Sequence, residues 1–422
     1  MKPADPQSRT KRSLSHVGGE TATAGDPEAS KRLARALDVP VGTSDDPPKG
    51  EDSPDRAHVH GFHTYPARMH PVTASRLVKA FAPPGAVVLD PFCGSGTVLV
   101  EAMLAGRNAV GTDLNPLAVM LARLKTQPLS REHQDTLVAC ARDVAAFADA
   151  RRTSRAGATR RLAQEDVALF DPHVLLELDG LRAGVAAAPA EAREALSLVL
   201  SAILVKLSKQ QGDTSARVAP RRIAAGFAAK LFVSKTEELA RRLEAFTRAL
   251  PPGQGASRVK LDDATRLRTL EPKSIDAVIT SPPYVATYDY LAHHALRLRW
   301  LDLDARDFER GELGARRTYA LLAPDAARKA WEHELDRFLR AVLRVVRPGA
   351  SVVLLIGDSA VGDAALRADE MVARVAPRAR FAVVARASQQ RPHFHGPTEA
   401  VFRDAPRAEH ALLLKETGVF RR

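Results

Sequence analysis

The sequence predicts an α/β protein, a doubly wound Rossmann-like sheet with a mainly helical insertion. Three observations lead there. Residues 85–111 read as strand, glycine-rich turn, helix and strand in succession, the unit from which parallel sheets are wound. Residues 274–280 form a second short apolar run, stopped soon after by two consecutive prolines, as a buried strand meeting an abrupt turn would be. Between them, residues 125–255 carry helical periodicity and no strand pattern. A length of 422 residues allows two domains, or one domain with a large insertion and tails.

Taken in order, residues 1–57 are rich in Pro, Asp, Gly, Ser and Thr without an apolar period, so a disordered tail is expected. Order is expected from His58. His58, His60, His63 and His70 have no cysteine or acidic ligand among them and match no zinc spacing, so no metal is expected. The extended run His63-Thr64-Tyr65-Pro66-Ala67-Arg68-Met69-His70-Pro71 leads into a helix over 73–80. A strand over 86–89 ends in Asp90-Pro91-Phe92-Cys93-Gly94-Ser95-Gly96-Thr97, and a helix over 98–105 is stopped by Gly106. The next strand, 109–112, ends in Asp113-Leu114-Asn115-Pro116.

A glycine-rich turn between strand and helix lets the backbone approach a nucleotide closely. An acid about 20 residues on, at the tip of the next strand, can accept both ribose hydroxyls. Here the loop lacks the third glycine of the dinucleotide fingerprint, and Asp90 stands where a pyrophosphate would be repelled. The combination suits a nucleoside with a cationic or zwitterionic tail, which describes S-adenosylmethionine. Cys93 reads as a small loop side chain, not a nucleophile.

The insertion is expected to hold helices over 130–151, 192–208 and 234–250, the last opening on a capping box, Ser234-x-x-Glu237. Among its amides and hydroxyls sit Lys206, Lys209, Arg217, Arg221 and Arg222, candidates for contacts to phosphates and base edges. The core resumes with a strand at Arg258-Val259-Lys260-Leu261, ending in Asp262-Asp263. The catalytic-looking turn is Ile279-Thr280-Ser281-Pro282-Pro283-Tyr284. Its prolines fix φ and remove two backbone donors. What remains is the Ser281 hydroxyl, carbonyls with no competing donors, and an aromatic ring. Such a turn can hold an amino group by its hydrogens while a flat ring stacks on Tyr284. Helices over 289–301 and 324–346, a turn at Arg347-Pro348-Gly349, and strands over 351–356, 381–385 and 411–414 complete the chain. A polar loop, 389–395, joins the last two strands.

The loop at 90–97 and the turn at 281–284 resemble the cofactor and catalytic motifs of the DNA amino-methyltransferases, which methylate the exocyclic amine of cytosine or adenine. The resemblance covers roughly 58–125 and 255–416. It implies a methyltransferase sheet that binds S-adenosylmethionine through Asp90, Phe92, Gly94, Ser95, Gly96, Thr97, Asp113 and Asn115. It also implies that the segment at Tyr65 closes over the methionine part, and that Asp263 or Asp262 bonds the adenine amino group. Ser281, Pro282, Pro283 and Tyr284 would be catalytic, acting on a base flipped out of site-specifically recognised DNA. Serine in the first motif position favours cytosine-N4 over adenine-N6. A carbon-5 cytosine mechanism needs a cysteine after a proline, and neither Cys93 nor Cys140 follows one.

Composition narrows the partners. The formal net charge is +12, which points to a polyanion such as DNA, with RNA as the alternative. A partner restriction enzyme belongs to the same expectation. The two cysteines supply neither a disulfide framework nor a zinc site. No apolar run reaches the ~18 residues of a membrane helix, and the first residues carry no hydrophobic leader, so a cytoplasmic protein without a membrane partner is expected. The expected layout is a tail over 1–57, core over 58–124, a target-recognition insertion over 125–255, and core again over 256–422. Two other readings stand beside the DNA enzyme. A tRNA or rRNA amine methyltransferase would carry an RNA-binding appendage that is not recognisable here. A non-catalytic subunit that keeps the fold would not need both motifs intact.

Overall fold

The computed structural model describes residues 19–39, 56–212, 217–391 and 396–418. Its main sheet has eight strands: β1 (Thr21–Gly25), β2 (Val87–Asp90), β3 (Asn108–Asp113), β4 (Arg258–Leu261), β5 (Ile275–Thr280), β6 (Val346–Gly357), β9 (Phe381–Gln390) and β10 (Ala408–Glu416). A separate hairpin joins β7 (Ser359–Val361) to β8 (Ala364–Leu366). The sheet order is β1-β9-β10-β6-β5-β2-β3-β4. Strands β4, β3, β2, β5 and β6 are parallel, whereas β10 runs antiparallel to both β6 and β9, and β1 antiparallel to β9. The chain winds outward from β2 through β3 to β4, then crosses to β5 and winds the other way. The reversal between β2 and β5 is the switch point at which open α/β sheets bind ligands. The Rossmann-like α/β expectation therefore holds.

Fourteen helices accompany the described sheet: α1 (Pro27–Leu37), α2 (Pro71–Phe81), α3 (Thr97–Leu104), α4 (Pro116–Lys125), α5 (Arg131–Thr153), α6 (Gln164–Leu169), α7 (Pro172–Ala187), α8 (Ala190–Leu207), α9 (Phe227–Ala249), α10 (Tyr290–Trp300), α11 (Arg306–Gly311), α12 (Arg316–Tyr319), α13 (Pro324–Val345) and α14 (Ala368–Val375). The pleat divides the apolar strand residues between two cores. Val353 and Leu355 of β6, with Ala411 and Leu413 of β10, join the core shared with α1 to α5 and α7 to α9. Their neighbours Val352, Leu354, Ile356, Leu412 and Leu414 join the core under α13 and α14. That is the period of two that a strand buried on both faces imposes. The stripe Trp331, Leu335, Phe338, Leu339 and Val342 of α13 is fully buried, as its helical spacing predicts.

Four expectations need correction. Residues 19–39, assigned to a disordered tail, instead form β1 and α1. Asp26 caps α1 by accepting from the Ala29 amide (2.8 Å), Pro27 occupies the first turn, and Leu33, Ala36 and Leu37 are buried. Residues 1–18 and 40–55 of the same assignment lie outside the described residues. The capping box at Ser234 is not a helix start: α9 begins at Phe227, and the buried Glu177 of α7 accepts from the Gly226 amide (2.6 Å). Arg347-Pro348-Gly349 is not a turn between elements but part of a bulge within β6, because Ile275 pairs with Val346 and Ala277 already with Ser351. Gln389 and Gln390 continue β9 and are not loop; 392–395 of that loop lie outside the described residues.

Leu33 is fully buried in α1, a helix that packs on both β9 and α2. Replacing it with alanine should destabilise the protein by about 2–5 kcal/mol, read by denaturant unfolding. A solvated tail would give a change within about 0.5 kcal/mol.

Candidate active site at the sheet switch point

The two motifs meet because their strands are neighbours. Thr280, the last residue of β5, donates its hydroxyl to Asp90 Oδ1 at the end of β2 (2.6 Å). Asp90 Oδ1 also accepts from the Phe92 amide (3.1 Å), which turns the chain into the glycine loop. Burial pushes the Asp90 carboxyl up to about 7, against the pull of these two hydrogen bonds. At the tip of β3, Asp113 accepts from the amides of Gly94 and Asn115 (2.8 Å each), and burial raises it to about 6. Asn115 caps α4 through the Leu117 amide (3.0 Å) and donates to the Tyr65 hydroxyl (3.4 Å). The Tyr65 ring stacks on His294, centroids 4.7 Å apart.

These groups line one cavity. Of the residues expected to bind a cofactor, Tyr65, Asp90, Phe92, Gly94, Ser95, Thr97, Asp113, Asn115 and Asp263 all face it. Gly96 does not; it takes φ +85° to start α3, where an added Cβ would lie 3.1 Å from the Ala122 backbone. Of the two acids that follow β4, Asp263 lines the cavity and accepts from the Thr265 amide (2.8 Å) and hydroxyl (2.7 Å). Asp262 is buried and holds the amide and hydroxyl of Thr269 (2.7 Å each). The Ser95 hydroxyl is buried in the loop without a partner among the described residues, a donor left for a polar ligand.

Of the proline turn, Ser281 and Pro283 line the cavity and Pro282 is buried. Tyr284 does not line it: its hydroxyl donates to Glu409 Oε1 (2.6 Å) and lies in hydrogen-bond contact with the Ser281 side chain, and burial beside the carboxylate raises the phenol well above its usual range. Tyr290 of α10 also lines the cavity, and sequence reasoning missed the wall beside it, formed by Phe308, Gly311, Glu312 and Leu313. Glu312 fixes this wall by accepting from the Tyr290 amide (2.6 Å) and pairing with Arg317, which also reaches Asp289 (2.8 Å). It carries no motif that would have marked it. His294 and Arg297 are buried, and Arg299 pairs with the buried Asp166 (2.5 Å).

None of Lys206, Lys209, Arg217, Arg221 and Arg222 reaches the cavity. Lys209 lies 3.5 Å from the carbonyls of Ala168 and Phe170, and Arg221 donates to the Lys206 carbonyl at the end of α8 (2.6 Å). Lys206, Arg217 and Arg222 are exposed. Among the histidines, His60 bonds Glu101 (2.9 Å), His63 bonds Ser201 (3.0 Å), and His70 caps α2.

The fold is that of a Rossmann-like α/β protein with its cavity at the sheet switch point. Residues 43–123 match a family model described as DNA methylase. Curated relatives include the Type II methyltransferase M.MjaII of Methanocaldococcus jannaschii, 39% identical over 70 residues, which are 17% of this chain and 13% of that one. The Type II methyltransferase M.MvaI of Kocuria varians is 42% identical over 73 residues, 17% of this chain and 16% of that one. The resemblance to the DNA amino-methyltransferases holds over this segment, and the chain spans about a seventh of the relatives' length. The crystal structure of TrmN from Thermus thermophilus aligns over 82% of this chain and 49% of its own, at 15% identity and a TM-score of 0.32. No described helix is long and apolar enough to cross a membrane.

The raised carboxyls set a pH dependence. Asp90 and Asp113 hold protons in the folded state that the unfolded chain, near 3.8, has released. Their contribution is therefore complete below about pH 4 and is lost as pH rises through about 6 to 7. For Asp90 this amounts to roughly 4 kcal/mol as an upper bound. The Asp90→Asn variant should unfold at a higher denaturant concentration than wild type at pH 8 and gain less at pH 5. Equal midpoint differences at both pH values would contradict this.

Proposed function

We propose that the chain is an S-adenosylmethionine-dependent DNA methyltransferase acting on the exocyclic amine of a flipped base, cytosine-N4 favoured over adenine-N6. The observation that carries the reading is the convergence of the glycine-rich loop and the Ser281 turn on one cavity, joined by the Thr280 to Asp90 hydrogen bond. The family match over residues 43–123 supports it, as does a net charge of +12 suited to a polyanion. Ser281 in the first motif position supports cytosine. The relatives' Type II designation suggests that the protein works in a restriction-modification system.

The cavity suits the cofactor. Asp113 would accept the ribose hydroxyls, Asp263 the adenine amine, and Asp90 would face the charged tail. When bound, S-adenosylmethionine supplies a methyl group made electrophilic by a positive sulfur. The amine of cytosine is a poor nucleophile because its lone pair is delocalised into the ring. The Ser281 hydroxyl and the Pro282 carbonyl would accept its two hydrogens and draw the nitrogen toward tetrahedral geometry. The freed lone pair is then aligned for in-line displacement, without a covalent intermediate, and the extra proton leaves afterwards. Positioning and electrostatics would supply most of the rate. Tyr284, anchored by Glu409, would stack on the flipped base.

The test is methyl transfer from radiolabelled S-adenosylmethionine to genomic DNA and, in parallel, to total RNA, followed by nucleoside analysis. Label should appear in DNA as N4-methylcytosine and fall on the order of 10²-fold in Ser281→Ala and Tyr284→Ala. Label only in RNA would change the polymer and keep the chemistry. No label in either, with cofactor bound, would sink the enzyme reading.

A further inference from the structure

Beyond Tyr284 the interior holds a charge that the chemistry above does not use. Arg407 lies immediately before β10 and is 3% exposed. Its Nε donates to the Asp358 carbonyl (2.8 Å), while Nη1 and Nη2 are buried without a hydrogen-bond partner among the described residues. The guanidinium carbon sits 6.0 Å from the centre of the Tyr284 ring. Gly357 makes this arrangement possible: a Cβ there would lie 2.7 Å from both Arg407 Nη2 and Tyr284 Cε2. The nearby carboxylate is already engaged, since Glu409 receives the Tyr284 hydroxyl (2.6 Å) and the Arg391 guanidinium (3.1 Å). Leaving two donors of a buried cation without acceptors is costly for a fold and calls for a function. A ligand that brings two adjacent acceptors would satisfy them.

We infer that Arg407 reads the target base, donating from Nη1 and Nη2 to N3 and O2 of a cytosine whose amine is held at Ser281. The inference rests on the amino-methyltransferase reading and specifies its substrate. Cytosine presents, in order along one edge, its amine, the acceptor N3 and the acceptor O2. The planar fork of a guanidinium offers two parallel N–H donors to such a pair, as guanine does in a base pair. Beside the adenine amine stand one acceptor, N1, and then a C–H. Adenine in this place would leave one buried N–H unmet, the situation in which a polar site discriminates most strongly. Arg407 is thus a specificity-determining residue, and Tyr284 provides the plane along which the base enters.

The experiment uses the full-length protein, labelled S-adenosylmethionine and unmodified genomic DNA, comparing wild type with Arg407→Met and Arg407→Lys. Wild type should yield N4-methylcytosine without N6-methyladenine. Arg407→Met should lose about 100-fold or more in kcat/KM. It should bind S-adenosylmethionine unchanged by equilibrium dialysis, and melt at the same or a higher temperature because an unmatched buried charge is gone. Arg407→Lys, with one compact ammonium in place of the fork, should recover less than a tenth of the activity. N6-methyladenine from wild type would overturn the inference and leave the methyl-transfer reading intact. Full activity in Arg407→Met would overturn it too, as would loss of cofactor binding together with a lowered melting temperature, the mark of a structural role. A change confined to KM that disappears at low salt would reassign Arg407 to a backbone phosphate and overturn base reading. No transfer by wild type to any polymer would remove the enzyme reading and this one with it.

Discussion

The hydrogen bond from Thr280 to Asp90 joins the two halves of the winding at the point where they separate. Strand β2 begins one half and β5 the other, and only their carboxyl ends lie close enough to share a ligand. Each end then turns for its own reason. After Asp90 the chain must pass through a left-handed Gly96 before α3 can begin, and after Thr280 two prolines forbid further pairing. The shared hydrogen bond keeps the two turns in register. A glycine-rich loop and a proline turn on segments far apart in the chain thus meet at one cavity.

Charge works in opposite senses at two scales. The chain as a whole is basic, with a formal net charge of +12, a field that favours a polyanionic partner. The cavity is acidic, lined by Asp90, Asp113 and Asp263. Burial raises Asp90 and Asp113, so in the absence of a ligand the pocket sheds part of its charge by taking up protons. A cationic ligand reverses that balance: its charge favours the ionised carboxylates, and binding releases the protons. The acids therefore select against the phosphates that the rest of the molecule attracts. On the proposed function, DNA would approach the protein without its backbone entering the cavity.

What was legible in the sequence follows from how locally each feature is determined. The loop at Asp90 and the turn at Ser281 are contiguous, and their glycines and prolines constrain the backbone wherever they occur. Both were readable, and so were the strands that lead to them. The wall at Phe308 to Leu313 was not, because its residues are held by Glu312 and Arg317 in an ion pair that no local pattern announces. The roles of charged residues are the least local. Lys209 and Arg221 contact carbonyls at helix ends, whereas Arg407, unremarkable in sequence, is among the buried groups beside Tyr284. Ser234 and Glu237 have capping-box spacing by coincidence; Phe227 to Val233 are already helical, capped by the remote Glu177.

The segment at residues 19–39 has a structural consequence beyond its own stability. Glu409, which anchors Tyr284, pairs across the sheet with Gly357 of β6 on one side and Gln389 of β9 on the other; Gln389 in turn pairs with Thr21. A single row thus crosses four strands from the edge of the sheet to the tyrosine. Without β1, strand β9 would be an open edge, free to fray or to pair with other chains. With β1 in place and α1 packed over β9, the β9–β10 pair is clamped on both sides. Strand β10, which carries Glu409, is thereby hydrogen-bonded on both edges, to β6 and to β9. On the proposed methyl transfer, the amine must be placed within a fraction of an ångström of its line of attack, and a sheet extended past the switch point on this side would secure that placement. A tyrosine hung from a loose edge strand could not hold it there.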